Sequence, residues 1–368
     1  LKIICQKADL LNGVNTVLKA VPTRTTLPIL ECILLDATTE SFKLISNDLE
    51  LGIESTVNAE IIKKGQIALD AKMFSEIVKK LPSSNVEISV DENFKTTIIC
   101  EKSKFNISGQ SGEEFLKLPK IEKDNYIKLS QPCFKEMIHQ TIFSIAIEEV
   151  RPVLTGELIE INDNHFNIVS VDGHRVSIRY SKLENNTNNI NVVVPGKTLN
   201  EISKILSSEE DKEVYIYFTD KHILFELNES IVVSRLLEGE FPKYEQIFSK
   251  DYETKVTINR KEFFNSIERA ALISKDGKKT PIKINITDTN LIITSNTDLG
   301  TSYEEVNIIK EGKSLDIAFN PRFLIEALRV IEDEEISIQF TNPLSPCIIN
   351  QIDGNDYKYL ILPIRISS

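Results

Sequence analysis

Four histidines, His139, His165, His174 and His222, are the first residues to consider for chemistry. Only His174 has chemical partners nearby, in Asp172-Gly173-His174-Arg175. A carboxylate two residues before an imidazole is one way to orient a general base, so a hydrolase built on His174 and Asp172 is one reading. A similar aspartate, Asp48, recurs in Ser46-Asn47-Asp48. An Asx-type turn former that ends a strand explains both positions without catalysis. The five cysteines (Cys5, Cys32, Cys100, Cys133, Cys347) are scattered, odd in number and never spaced as CxxC. That pattern fits buried thiols in a reducing cytosol and argues against a zinc site. No phosphate-binding glycine loop, nucleophile elbow or HExxH is present, and the carboxylates do not cluster. The expectation is a binding or scaffolding protein with no catalytic residue, no metal and no cofactor.

The elements that would position such residues repeat three times. Phe74-Ser-Glu76-Ile77, Leu199-Asn-Glu201-Ile202 and Leu324-Ile-Glu326-Ala327 place their glutamates 125 residues apart. Each opens a short amphipathic pattern at helical spacing. Each is followed by an alternating strand, at 86–88, 214–216 and 336–338. Earlier in each unit come Phe42-Lys-Leu-Ile-Ser46, Phe166-Asn-Ile-Val-Ser170 and Leu291-Ile-Ile-Thr-Ser295, with serines 124 and 125 apart. Further helices are expected at 10–18, 134–145 and 263–273. Two patterns in one register predict three repeated α+β domains, at 1–122, 123–250 and 251–368, with helices on antiparallel sheets.

At 368 residues, 41% hydrophobic and 27% charged, the chain is globular and long enough for several domains. Its longest nearly apolar run, 142–147, is far too short to span a membrane. No basic, apolar, small-residue leader opens it, so a cytoplasmic location is expected. The net charge of −12 alone argues against a nucleic-acid partner. Its distribution says otherwise: the six helical windows total +7 and the rest of the chain −19. A basic helical layer also argues against a second alternative, a scaffold that binds proteins but not DNA.

Three segments stand out: Arg151 to Gly156, Gly239 to Tyr244, and the apolar tail Tyr359 to Arg365. The tail reads equally well as a closing edge strand or as one wall of an exposed peptide groove.

In this order and at these spacings, together with Arg24-Thr-Thr-Leu-Pro-Ile-Leu30 and Asn342-Pro-Leu-Ser-Pro346, the segments resemble the bacterial sliding clamps, the beta subunit of DNA polymerase III. The resemblance covers the whole chain. It implies a head-to-tail homodimeric ring around duplex DNA, with helices lining the hole. Contacts would be to the backbone, so the ring slides and tethers its polymerase by raising effective concentration. The partners implied are duplex DNA without sequence specificity, the replicative polymerase, the clamp loader and other proteins carrying a clamp-binding motif. No membrane is implied.

The resemblance assigns Arg24, Lys72 and Lys197 to face DNA. It builds a partner-peptide pocket from Leu154, Thr155, Gly173, His174, Arg175, Val176, Pro242, Ile247, Pro346, Leu360, Ile361, Leu362, Pro363, Ile364 and Arg365. It places the protomer interface at Phe105 and Ile107 of one copy against Leu272 and Ile273 of the next, with Lys102 and Lys104 facing Glu304 and Glu305. The sequence departs from some relatives in three places. Glu148-Glu149 stands where they carry a DNA-facing glutamine, Pro152-Val153 replaces an aromatic pair, and Gln246 replaces an arginine.

Overall fold

The computed structural model describes residues 1–124, 126–147, 150–183, 189–248, 251–273 and 280–365. Six α-helices lie among them: α1 (Lys7–Val17), α2 (Ala71–Lys80), α3 (Gln131–His139), α4 (Gly196–Ser203), α5 (Arg260–Ala271) and α6 (Pro321–Val330). Most begin about three residues before the apolar pattern, because their first turns are polar and are fixed by caps. Asp70 accepts from the Met73 amide at 2.7 Å, Asn259 from Glu262 at 3.0 Å, and Asn320 from Arg322 at 3.1 Å with Pro321 at the first helical position. α3 stops at His139, short of the expected 145, and a single 3-10 turn at Ile142–Ser144 covers the rest.

The chain forms two compact units. The first, residues 1–132 and 201–236, holds a five-stranded and an eight-stranded sheet. The second, residues 133–200 and 237–368, holds one twelve-stranded sheet. Every pairing is antiparallel. In the eight-stranded sheet, Ser230–Arg235 pairs with Leu51–Val57, which joins strands from two successive repeats. The same happens in the twelve-stranded sheet, where Arg175–Lys182 pairs with Tyr357–Ile361.

The repeat holds at the level of single residue pairs. Ser46, Ser170 and Ser295 face Ile53, Ser177 and Ser302. Counting outward from the strands that follow the second helices, Ile88, Ile216 and Ile338 lead through Ile98, Phe225 and Ile349 to Phe105, Val232 and Tyr359. Ile53 pairs with Val232, and Ser177 with Tyr359. The third equivalents, Ser302 and Phe105, lie on strand edges with no neighbour among the described residues.

Candidate functional site

In the second unit, Val176 and Leu360 face each other across the strand pair, and Ile178 faces Lys358 one step further along. Side chains alternate between faces along a strand. Val176 and Leu360 therefore share one apolar cluster with Ile348 and Tyr244, with Leu154, Phe241 and Phe248 packed at its margin. Arg175 and Ile361 point to the opposite face. Ile361 joins the core beneath the helices, so both stand behind the pocket wall. Beside the cluster, Ile247, Pro346 and Ile348 line a hollow of ≈ 170 Å³ with Tyr252 and Thr341. Leu344, next to Ser345 of that lining, and Leu362, two residues beyond Leu360, are exposed.

Arg175 holds this surface together. Its guanidinium lies 4.7 Å from the Phe323 ring centre and 5.2 Å from that of Phe143. It donates to Asp172 Oδ2 at 3.0 Å, to Glu326 and to the Phe143 carbonyl. Such a buried, several-fold paired arginine is a bolt whose removal would leave Asp172 without its ion partner and Glu326 with Arg322 alone. Asp172 Oδ1 accepts from the His174 amide at 2.9 Å and the Arg175 amide at 3.1 Å, the Asx turn expected from sequence. Gly173 sits at φ +86°, a conformation that favours glycine, although a Cβ there would meet nothing within 4 Å. His174 stacks on Phe323 at 5.8 Å, and its carbonyl accepts from the Leu362 amide at 2.9 Å. The tail is pinned again where the Ile364 amide donates to Ala318 at 2.8 Å. Thr155 is turned back onto the Pro152 carbonyl at 2.7 Å, while Pro242 and Pro363 are half-buried and Arg365 is exposed.

The three residues assigned to DNA are all exposed. Arg24 lies in the stretch after α1, while Lys72 and Lys197 occupy the second positions of α2 and α4. The corresponding position of α6 is Arg322, which the sequence reading did not single out although the 125-residue period points to it. A second basic row, Lys79, Lys204 and Arg329, follows at the same spacing. Glu76 and Glu326 pair with Lys79 and Arg322 of their own helices at 3.1 and 2.7 Å, and Glu201 pairs with Lys204 just past the end of α4 at 2.7 Å. Glu148 and Glu149 lie outside the described residues.

Of the residues assigned to the protomer interface, Leu272 is 79% exposed at the end of α5 and Phe105 is 37% exposed on its edge strand. Ile107 and Ile273 are half-buried, and Lys102 and Lys104 are exposed. Glu304 already pairs with Arg269, which holds its carboxyl below the usual range. Glu305 accepts from the Tyr303 hydroxyl at 3.1 Å and from Asn290. Among the described residues no group of three His, Cys, Asp or Glu is placed to hold a metal ion. None of the described helices is long and apolar enough to cross a membrane.

Three family models match the chain in succession: the N-terminal domain of the DNA polymerase III beta subunit at 1–119, its central domain at 128–243 and its C-terminal domain at 245–365. The chain is 37% identical over 366 residues to a beta sliding clamp of Staphylococcus epidermidis, covering 96% of this chain and 97% of that protein. A crystal structure described as a DNA polymerase III beta subunit of Eubacterium rectale superposes with a TM-score of 0.96 at 52% identity, covering 99% of this chain and all of that one. The DNA polymerase sliding clamp of Bacillus subtilis superposes with a TM-score of 0.96 at 34% identity, covering 100% of this chain and 99% of that one.

Proposed function

The chain belongs to the DNA polymerase III beta subunit family, the bacterial sliding clamps, and from that membership we propose which of its residues close the ring, face DNA and receive partners. The protein is a processivity factor, not an enzyme: a homodimeric ring encircles duplex DNA and tethers the replicative polymerase and other replication proteins. It works on DNA in the cell interior, and we assign it to the cytoplasm. We take its domains as 1–122, 123–250 and 251–368.

The observation that carries the ring-closing assignment is the pair of open edges at Ser103–Ser108 and Gly300–Asn307. Twice within the chain, strands equivalent to these two pair with each other. Carrying that register to a second copy sets Ser302 opposite Phe105, Gly300 opposite Ile107 and Glu305 opposite Lys102. Lys104 then falls opposite Tyr303, diagonal to Glu305 on the same face. Ser302 Oγ faces the Ala270 carbonyl at the end of α5, so Phe105 enters beside Leu272 and covers it. Open edges with exposed apolar neighbours are templates for pairing with another chain.

The DNA-facing set is Arg24, Lys72 and Lys197, to which the repeat adds Arg322. Backbone contacts from these helices carry no sequence information and allow sliding. The partner-peptide pocket is the Val176–Leu360 surface with Leu154, Pro242, Ile247, Pro346 and Leu362, with Gly173 and His174 at its rim. Arg175 and Ile361 support it from behind. An extended segment with one or two apolar anchors fits such a surface.

Cysteine cross-linking tests the closing register. Ser302→Cys combined with Phe105→Cys should oxidise to a covalently closed dimer. Ser302→Cys combined with Lys104→Cys, shifted by one residue, should not. Equal cross-linking of both pairs would overturn the register.

A further inference from the structure

Two residues along the sheet from the Val176–Leu360 pair lies a second and larger cavity of ≈ 620 Å³, with Ile178 and Lys358 on its floor. Its walls are unlike those of the apolar pocket. Glu160, only 8% exposed, accepts at one carboxylate oxygen, Oε2, from the Tyr244 hydroxyl at 2.8 Å and from Asn167 Nδ2 at 3.2 Å. Asn167 is itself 8% exposed, and its Oδ1 has no hydrogen-bond partner among the described residues. Asn350 Oδ1 is likewise buried and without a partner. An unpaired buried acceptor keeps the full cost of its lost hydration, so such atoms point to a donor that arrives from outside.

The charges facing the cavity are the carboxylates of Glu160, Asp163 and Glu245 against the ammonium of Lys358, with His165 alongside. Tyr180 senses this field. Burial first, then Glu160 and Glu245, push its phenol up to about 12. Lys358 Nζ already lies over the Tyr180 ring, 6.0 Å from its centre. Several separated acceptors between aromatic walls match a planar cation with fixed N–H donors better than a point charge.

We propose that this cavity is a guanidinium subsite that takes an arginine of the partner segment whose apolar anchor sits on Val176 and Leu360. The inference rests on the pocket assignment above for its partner. One step along a strand pair is about 7 Å, which two extended residues span. The arginine therefore belongs two or three residues from the anchor. Glu160 and the Asn167 and Asn350 oxygens accept from it, and Tyr180 and Tyr244 flank it.

Calorimetry with two peptides tests this. They share one polymerase-tail sequence with a leucine anchor and carry either arginine or glutamine at the subsite position. The arginine peptide should bind the unmodified dimer about tenfold more tightly. In Glu160→Gln the ratio between the peptides should fall below about twofold. In Lys358→Met, which removes the competing cation, it should rise about two- to threefold, a gain that misfolding cannot produce. Equal binding of the two peptides to the unmodified protein, or an undiminished ratio in Glu160→Gln, would overturn the proposal. If neither peptide binds, the pocket assignment falls and argininamide alone decides the cavity. Shifts of the Tyr180 ring resonances that vanish in Glu160→Gln would uphold the subsite, and no shift would overturn it.

Discussion

The junction at Arg175–Lys182 and Tyr357–Ile361 and the open edges at Ser103–Ser108 and Gly300–Asn307 share one architecture with opposite fates. At the junction, Tyr359 is buried beneath the helices and the strand edges are satisfied. At the edges, its equivalent Phe105 on one and Leu272 beside the other are exposed, and a row of backbone groups has no partner strand among the described residues. The difference teaches that the fold makes each such junction by completing a sheet, and that one chain supplies three pairs of edges but closes two. In the proposed ring a second copy supplies the rest.

The largest effect should come from breaking the open edge. Leu272→Glu with Ile273→Glu would bury unpaired charge at every closure, a cost of several kcal/mol for each charge. Sedimentation should show monomers at micromolar concentration. A dimer that survives would move the interface elsewhere.

Breaking the closed side should spare the ring. Leu362→Asp places a charge on the rim of the peptide surface, and affinity for a polymerase-tail peptide should fall about 100-fold or more by calorimetry. Dimer mass should be unchanged. Unaltered affinity would leave the tail as structure alone.

A smaller effect separates the repeats from within. Ser46, Ser170 and Ser295 pair across their strands with Ile33, Glu157 and Ile282, as the neighbouring registers require. The second repeat therefore carries a fully buried carboxyl where the others carry isoleucine. Burial pushes Glu157 up to about 7, partly offset by bonds from Ser170 and Thr141. The folded state then holds a proton that the unfolded chain releases near pH 4.5, so stability is lost as pH rises from about 4.5 to about 7. Glu157→Gln should remove that loss. Its stability relative to the parent should improve by about 1–3 kcal/mol between pH 5 and pH 8 in urea titrations. A constant difference would mean that Glu157 stays ionised.

The smallest effect concerns the helices. Changing Lys72, Lys197 and Arg322 together to Ala should reduce the salt dependence of duplex binding by about two to three in log–log slope per protomer. An unaltered slope would place DNA elsewhere.

Much of this was legible in the sequence because it is periodic. The 125-residue spacing of Glu76, Glu201 and Glu326, with apolar residues at helical intervals, revealed the helices and the repeats, though not that the row of Lys72 and Lys197 continues to Arg322. What stayed hidden depends on partners distant in sequence. Val176 and Leu360 are 184 residues apart, and nothing local says that Ile348 joins them. The resemblance assigned Arg175 to the pocket wall, yet strand alternation turns it inward onto Phe143, Phe323 and Glu326. Glu157 and Glu160 are buried in the folded chain, and no local sequence pattern marks them as such.

The central claim is topological: the protein holds DNA by enclosing it. Loaded onto nicked circular duplex, the dimer should remain bound through gel filtration at about 0.5 M salt, where electrostatic contacts are largely screened. Cutting the same circles to linear form should release it. Loss from both forms at the same salt concentration would contradict enclosure and leave only charge attraction.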